Sequence, residues 1–142
     1  KIEFEVNTYE CDEFIDGMTV AEHNHQNPDQ SYKTLVTEGK SKEYYVFVIP
    51  IAEELDLKKA AKSVGEKSVE MIHVKDINKI TGYIRGGCTP LGMKKQYETV
   101  VDSSAESWDK IIISGGRIGS QIILNPQDLI KVCKGKFEDI IK

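Results

Sequence analysis

The sequence predicts an α+β fold built on a mixed, largely antiparallel sheet. Segments with the two-residue alternation of strands outnumber those with helical periodicity, and helical segments occur singly between strands. The chain has 142 residues, a net charge of −4 and no apolar run near the roughly 20 residues of a membrane span. We therefore expect one soluble domain over residues 1–142. Because the chain begins without Met inside an alternating segment, we also expect a short element to precede it.

The first third of the chain predicts a strand, a short helix and a hairpin. Residues 2–7 alternate between apolar and polar, as in a half-buried strand. Thr19 followed by Glu22 resembles a capping box, which predicts a helix over residues 19–26. Residues 31–50 contain two β-rich runs around a polar connector, and this arrangement is typical of a hairpin.

The remaining elements are predicted by helix caps and short β-rich runs. Asp56 can cap a helix that Gly65 ends, and a second short helix is expected from Asp76 to Ile80. The face of the first helix expected to be buried consists of Leu57, Ala60, Ala61 and Val64. Three further strands are expected at 97–101, 110–114 and 121–124. A last helix follows, with Asn125 as its cap, Pro126 in its first turn and Asp128 near its positive end.

Residues 81–95, TGYIRGGCTPLGMKK, form the segment richest in backbone constraint. Gly86 and Gly87 allow a close backbone approach, and Pro90 extends Thr89. Backbone N–H groups of such a loop can hold an anion or a polarised carbonyl. A tight connecting loop explains the same pattern, so the residues alone leave both interpretations open. Cys88 is a candidate nucleophile without a neighbouring base.

Two further segments carry candidate chemistry. Lys33 lies inside the apolar-patterned strand SYKTLV, so its ammonium group reaches either the surface or a cleft. In a cleft, burial would lower its pKa and suit it to act as a base, a nucleophile or a fixed cation. Residues 114–117, SGGR, end a strand and could present backbone N–H groups and a cation to a phosphate or carbonyl. A tight turn is again the alternative.

Several classes of activity are disfavoured. Three cysteines without CxxC spacing indicate neither a disulfide framework nor a zinc site, and they fit a reducing cytoplasm. His23 and His25 are two residues apart, which in a helix places them on different faces, and His73 has no nearby acidic or Cys partner, so we expect no metal and no cofactor. Neither a GxxxxGK[ST] loop nor a GxSxG elbow is present, which disfavours nucleotide hydrolysis and a Ser-His-Asp triad.

Taken together, five blocks resemble the YbaK/EbsC family of aminoacyl-tRNA deacylases in their order and spacing. They are SYKTLV, LDLKKAAKSVG, TGYIRGGCTPLGMKK, IIISGGRIG and NPQDLIKV. The family is related to the editing domain inserted in some prolyl-tRNA synthetases, so the resemblance implies a sheet curled into a partial barrel with flanking helices, together with a short N-terminal helix that precedes the given sequence. It also implies hydrolysis of a wrong amino acid from tRNA, most often cysteine from the proline tRNA.

The resemblance also implies a set of pocket residues. It gives Lys33, Gly86 and Ser114 catalytic roles, with Lys33 as the functional lysine. The implied substrate-binding residues are Tyr9, Thr34, Gly87, Thr89, Pro90, Gly115, Gly116 and Asp128. For Asp128, its place at a helix start is a sufficient alternative explanation.

The expected mechanism uses an oxyanion site and no triad. Backbone N–H groups of Gly86, Gly87 and Ser114 would stabilise the tetrahedral oxygen, while Lys33 anchors the ester, ribose or phosphate. The nucleophile is water or the substrate's own thiol. Deacylation of Ala-tRNA(Pro) and a non-catalytic binding module are the alternatives. The expected partners are the aminoacylated acceptor end of tRNA and prolyl-tRNA synthetase, without a membrane.

Overall fold

The computed structural model describes residues 4–8, 30–72, 76, 97–114 and 120–142, and for 4–8, 114 and 120 it describes the backbone alone. The described elements are, in chain order, β1 Phe4–Thr8, β2 Tyr32–Gly39, β3 Tyr44–Pro50, α1 Leu57–Ser63, β4 Val69–Met71, β5 Glu98–Asp102, a 3₁₀ helix Ser103–Ser107, β6 Ile111–Ser114, β7 Ser120–Leu124, α2 Pro126–Cys133 and β8 Lys136–Glu138.

The larger sheet has five strands in the order β4-β2-β3-β5-β8. β2 pairs antiparallel with both β3 and β4, whereas β3 with β5 and β5 with β8 are parallel pairs. The smaller sheet, β1-β7-β6, is antiparallel throughout. This architecture confirms the predicted α+β class and the mixed, largely antiparallel sheet.

A single parallel bridge between Ser31 and Ile112 joins the two sheets at the start of β2. Further along β2, the same edge is occupied by β4, which pairs with Thr37 to Gly39. The described strands therefore form a continuous but open surface that is not closed into a barrel, in agreement with the partial barrel that the family resemblance implies. Between the bridge and β4, residues 32–35 have no strand neighbour on this edge among the described residues.

Apolar residues fill both faces of the larger sheet. One face packs against the smaller sheet and α2, in a cluster containing Tyr32, Val48, Val101, Ala105, Ile111, Ile113, Leu124, Leu129 and Cys133. The other face packs against α1 and the chain end, in a cluster containing Phe47, Ile49, Leu55, Ala60, Ala61, Val69, Val100 and Ile140. Because strand side chains alternate between faces, the odd-numbered residues of β2 belong to the second face and the even-numbered ones to the first.

Local signals predicted the described hairpin and helices well. The hairpin over residues 31–50 is present as β2 and β3. Asp56 caps α1 by accepting hydrogen bonds from Lys58 N at 3.0 Å and Lys59 N at 3.1 Å, and Gly65 follows with φ 73°. Asn125 caps α2 by accepting from Gln127 N at 2.8 Å.

The buried face of α1 is narrower than predicted. Leu57 is 41% exposed, whereas Ala60 and Ala61 are buried. As the first residue of a seven-residue helix, Leu57 lies before the turn that contacts the sheet, and two alanines allow that turn to approach closely. The helix predicted at 19–26 lies outside the described residues, as does the one at 76–80 apart from Asp76.

Candidate functional site

Lys33 lies in β2, directly opposite Ile49 of β3. Opposed residues of an antiparallel pair project from the same face, so the lysine stem lies beside the apolar cluster that contains Ile49. The side chain is half-buried. In the described part of the chain, Lys33 Nζ has neither a hydrogen-bond acceptor nor a carboxylate within 4.0 Å. The result is a partly desolvated cation without an ion-pair or hydrogen-bond partner in the part of the chain that the structure describes.

Two opposing effects act on the charge of Lys33. Burial lowers the pKa of its ammonium group below the usual value, and the negative charge of Glu54 opposes this shift. Glu54 lies in the loop after β3, where its carboxylate makes an exposed ion pair with Lys142 Nζ at 3.3 Å. The loop is held to the chain end because Lys142 N donates to the Glu54 carbonyl at 3.1 Å.

Ser114 lies beside Lys33 in the extended strand register, although the two residues are far apart in sequence. The Ser31–Ile112 bridge is parallel, so two residues further along each strand the same register places Lys33 level with Ser114. β6 continues to Ser114, where its backbone pairs with Gln121 of β7. Two residues predicted for the site therefore lie on neighbouring strands, just past the point where pairing between these strands ends.

Thr34 lies next to Lys33 but belongs to the opposite face of the sheet. It is opposite Val48, which lies in the cluster shared with the smaller sheet. Its Oγ1 is buried and has no hydrogen-bond partner in the ranges that the structure describes. On the same face, Tyr32 and Ser104 are joined by a 2.8 Å hydrogen bond between their hydroxyls, which ties β2 to the 3₁₀ helix.

Asp128 lies in the first turn of α2, as predicted, with its backbone N–H donating to the Asn125 carbonyl at 3.0 Å. α2 follows the end of β7 that pairs with Ile111, whereas Ser114 lies three residues along β6. At about 3.3 Å per residue, that separation is roughly 10 Å along the sheet. The described contacts do not bring Asp128 next to Lys33.

The other predicted site residues lie outside the described part of the chain. They are Tyr9, Gly86, Gly87, Thr89, Pro90, Gly115 and Gly116. Two residues that sequence reasoning missed are Glu54 and Ser31. Glu54 carried no local signal, because only the fold brings its loop near β2. Ser31 had one, since a polar residue two before Lys33 in a strand shares its face.

No group of three or more His, Cys, Asp or Glu residues that could hold a metal ion occurs within the described ranges. Neither of the two described helices has the length and hydropathy of a membrane span. Lys33, half-buried at the gap between strands, offers a fixed cation to a ligand.

The family model for the aminoacyl-tRNA editing domain matches residues 17–132, which include β2, β6 and most of α2. The chain belongs to the aminoacyl-tRNA editing domain family. A protein of Enterococcus faecalis (strain ATCC 700802 / V583), provisionally named the Cys-tRNA(Pro)/Cys-tRNA(Cys) deacylase EbsC, is 44% identical over 129 residues. That alignment covers 91% of this chain and 79% of the relative. The resemblance to the YbaK/EbsC family is thereby confirmed.

Solved structures share the fold of this editing domain. One, provisionally named a trans-editing enzyme for prolyl-tRNA synthetase, aligns with a TM-score of 0.86 and 20% identity over 98% of this chain and 87% of its own. A hypothetical protein aligns with a TM-score of 0.90 and 20% identity, over 99% and 92% of the two chains. At this identity the likeness shows the fold alone.

Proposed function

We propose that this editing domain hydrolyses the ester of mischarged aminoacyl-tRNA and that its preferred substrate is Cys-tRNA(Pro). The observation that carries the proposal is Lys33, a half-buried cation without a described partner, level with Ser114 at a gap between strands. Membership in the editing family and 44% identity to a relative provisionally named a Cys-tRNA(Pro)/Cys-tRNA(Cys) deacylase support the reaction and the substrate.

The need for such a reaction follows from the limits of pocket selectivity. Ligands that differ by one methylene-sized group are separated by only about 1–3 kcal/mol in an apolar pocket. Cysteine and proline are close enough in size for cysteine to enter a proline site. A second hydrolytic site that acts on the charged tRNA removes the wrong product.

In the proposed mechanism, Lys33 anchors a carbonyl, ribose or phosphate oxygen while backbone N–H groups stabilise the oxyanion. Gly86, Gly87 and Ser114 are the proposed donors. Water forms a bond to the ester carbonyl carbon, the bond to the ribose oxygen breaks, and that oxygen takes a proton. The products are free amino acid and tRNA.

The substrate can also supply its own nucleophile. The cysteine sulfur would attack its carbonyl carbon, form a cyclic thioester and release the ribose hydroxyl, and water would then open the ring. Because the free thiol titrates near 8.5, a fraction is thiolate at neutral pH. A serine ester of the same tRNA lacks this route and therefore reports which nucleophile operates.

The test is a deacylation assay with Cys-, Ala-, Ser- and Pro-charged tRNA(Pro), comparing the wild type, Lys33→Ala and Lys62→Ala. We expect fastest release from Cys-tRNA(Pro) and a loss of about 100-fold or more in Lys33→Ala, since single electrostatic groups contribute this much to such sites. Lys62 is exposed in the last turn of α1, so its variant controls for loss of a surface lysine.

Three outcomes would contradict parts of this proposal. Near-normal rates in Lys33→Ala, with an unchanged circular dichroism spectrum, would remove Lys33 from the site. Fastest release from Ala-tRNA(Pro) would replace the substrate. No release from any of the four would favour a binding module without catalysis.

A further inference from the structure

Ser31 is a buried polar residue whose hydroxyl lacks a hydrogen-bond partner within the described ranges. Its side chain is only 6% exposed, and Oγ has no hydrogen-bond partner among the described residues. Its backbone is engaged, because its carbonyl accepts from Ile51 N at 3.0 Å and it forms the bridge to Ile112. A buried hydroxyl without a partner is unfavourable for folding, so Ser31 is a candidate for a contact with a ligand.

The position of Ser31 relates it to the candidate site. Ser31 and Lys33 are two residues apart along an extended segment, so their side chains project from the same face. The hydrogen bond from Ile51 to Ser31 continues the β2–β3 register by one residue beyond the Tyr32–Pro50 pair, which keeps this alternation intact. Ser31 is therefore within reach of a ligand that Lys33 holds on this face.

The surroundings of Ser31 indicate what kind of group it would contact. Its neighbours in the bridge and in the register are the buried residues Ile112 and Ile51. A neutral hydroxyl between isoleucines suits a small apolar group that carries one weakly polar atom. It does not suit an α-ammonium group, which the Lys33 cation repels.

Resting on the function proposed above, we propose that Ser31 determines specificity by hydrogen bonding to the thiol or hydroxyl of a small amino acid side chain on the aminoacyl ester. Alanine in the same place would leave the serine hydroxyl unpaired. Sites that hydrogen bond a substrate group reject analogues that lack the group more strongly than purely apolar pockets do. Ser31 thereby favours cysteine over alanine.

Thr37 provides a matched control on the same face of β2. It is fully buried like Ser31, but its Oγ1 donates to the Tyr45 carbonyl at 3.3 Å, so its hydroxyl has a structural partner. Thr37→Val removes a satisfied hydroxyl with little change of shape, whereas Ser31→Ala removes an unsatisfied one. The two variants are therefore expected to affect stability in opposite directions.

The experiment measures binding by calorimetry of adenosine conjugates in which cysteine or alanine is joined to the 3′ position by a non-hydrolysable amide. We expect the wild type to prefer the cysteine conjugate by about 10-fold, as for one hydrogen bond. Ser31→Ala should lose about 10-fold for cysteine, stay within about twofold for alanine and melt at the same or a higher temperature. Thr37→Val should keep the preference and melt at a lower temperature.

An unchanged cysteine-to-alanine ratio in Ser31→Ala would overturn the inference, as would a lower melting temperature with equal loss for both conjugates. Binding of neither conjugate by the wild type would also overturn it. Failure of the proposed function would give a different result from failure of this inference. A Ser31-dependent preference without deacylation of any charged tRNA would support the inference and contradict the catalytic proposal, whereas Lys33-dependent deacylation with no effect of Ser31→Ala would do the reverse.

Discussion

The pKa of the Lys33 ammonium group is shifted by surroundings that are distant in sequence but close in the fold. Burial beside Ile49 lowers the pKa of the ammonium group, and the Glu54 carboxylate opposes this shift. The negative charge in the neighbouring loop therefore favours the cationic form that an anchoring lysine needs. Because the opposing charge is exposed, it can support the cation without forming a direct ion pair that would compete with substrate.

Glu54→Gln is expected to change the pH profile of deacylation. A required cation is present below its pKa and is lost as pH rises through it, so activity should fall on the alkaline side. Removing the Glu54 charge lowers the pKa of Lys33 further, and the alkaline limb of kcat/KM should move to lower pH. Lys142→Gln breaks the same 3.3 Å ion pair but keeps the carboxylate, so its limb should not move to lower pH. Identical limbs in wild type and Glu54→Gln would contradict this coupling.

Among the helices and strands, local sequence signals predicted those elements whose first and last residues are themselves capping or turn residues. α2 begins at an Asn-Pro pair, and Gly65 takes the positive φ that ends the turn after α1. β8 was not predicted, because its three residues form a strand only through parallel pairing with β5. The 3₁₀ helix was also missed, although Asp102 before two serines is a capping signal.

Asp102 joins three elements and should be among the most important residues for stability. It is 1% exposed, with Oδ2 accepting from Ser104 N and Oδ1 from Ile140 N, each at 3.1 Å. Its loss leaves two backbone donors without partners and loosens the segment that holds the Tyr32 hydroxyl bond.

We expect Asp102→Ala to lower the free energy of unfolding by about 3 kcal/mol, since hydrogen bonds to a charged group contribute about 1.5–3 kcal/mol each. Urea denaturation measures the effect. Asp102→Asn keeps one acceptor oxygen and should lose less. If Asp102→Ala stayed within about 0.5 kcal/mol of the wild type, the range of ordinary surface changes, this network would not hold the elements together.

For the whole molecule, the sequence predicted the fold class and the family, but not the arrangement of the site. Lys33 and Ser114 are level only because the Ser31–Ile112 bridge joins two sheets formed by distant segments. No periodicity or cap reports a contact of that kind, and only the order of the five sequence blocks suggested it. Glu54 was missed for the same reason, because loop packing sets its relation to Lys33. Ser31 was readable from the two-residue alternation of the strand and was overlooked.

The charge of the whole chain leads to a last prediction about tRNA selection. With a net charge of −4 and a pI near 5.4, the domain has little overall electrostatic attraction for a polyanion such as tRNA. A prolyl-tRNA synthetase that already holds the tRNA would raise the local concentration of the ester. We therefore expect the synthetase to lower KM for Cys-tRNA(Pro) about 10-fold or more and to leave kcat unchanged.

The control for this prediction is cysteine on a tRNA that the synthetase does not bind, for which KM should be the same with and without the synthetase. Equal KM values with and without the synthetase would show that the domain selects its tRNA alone.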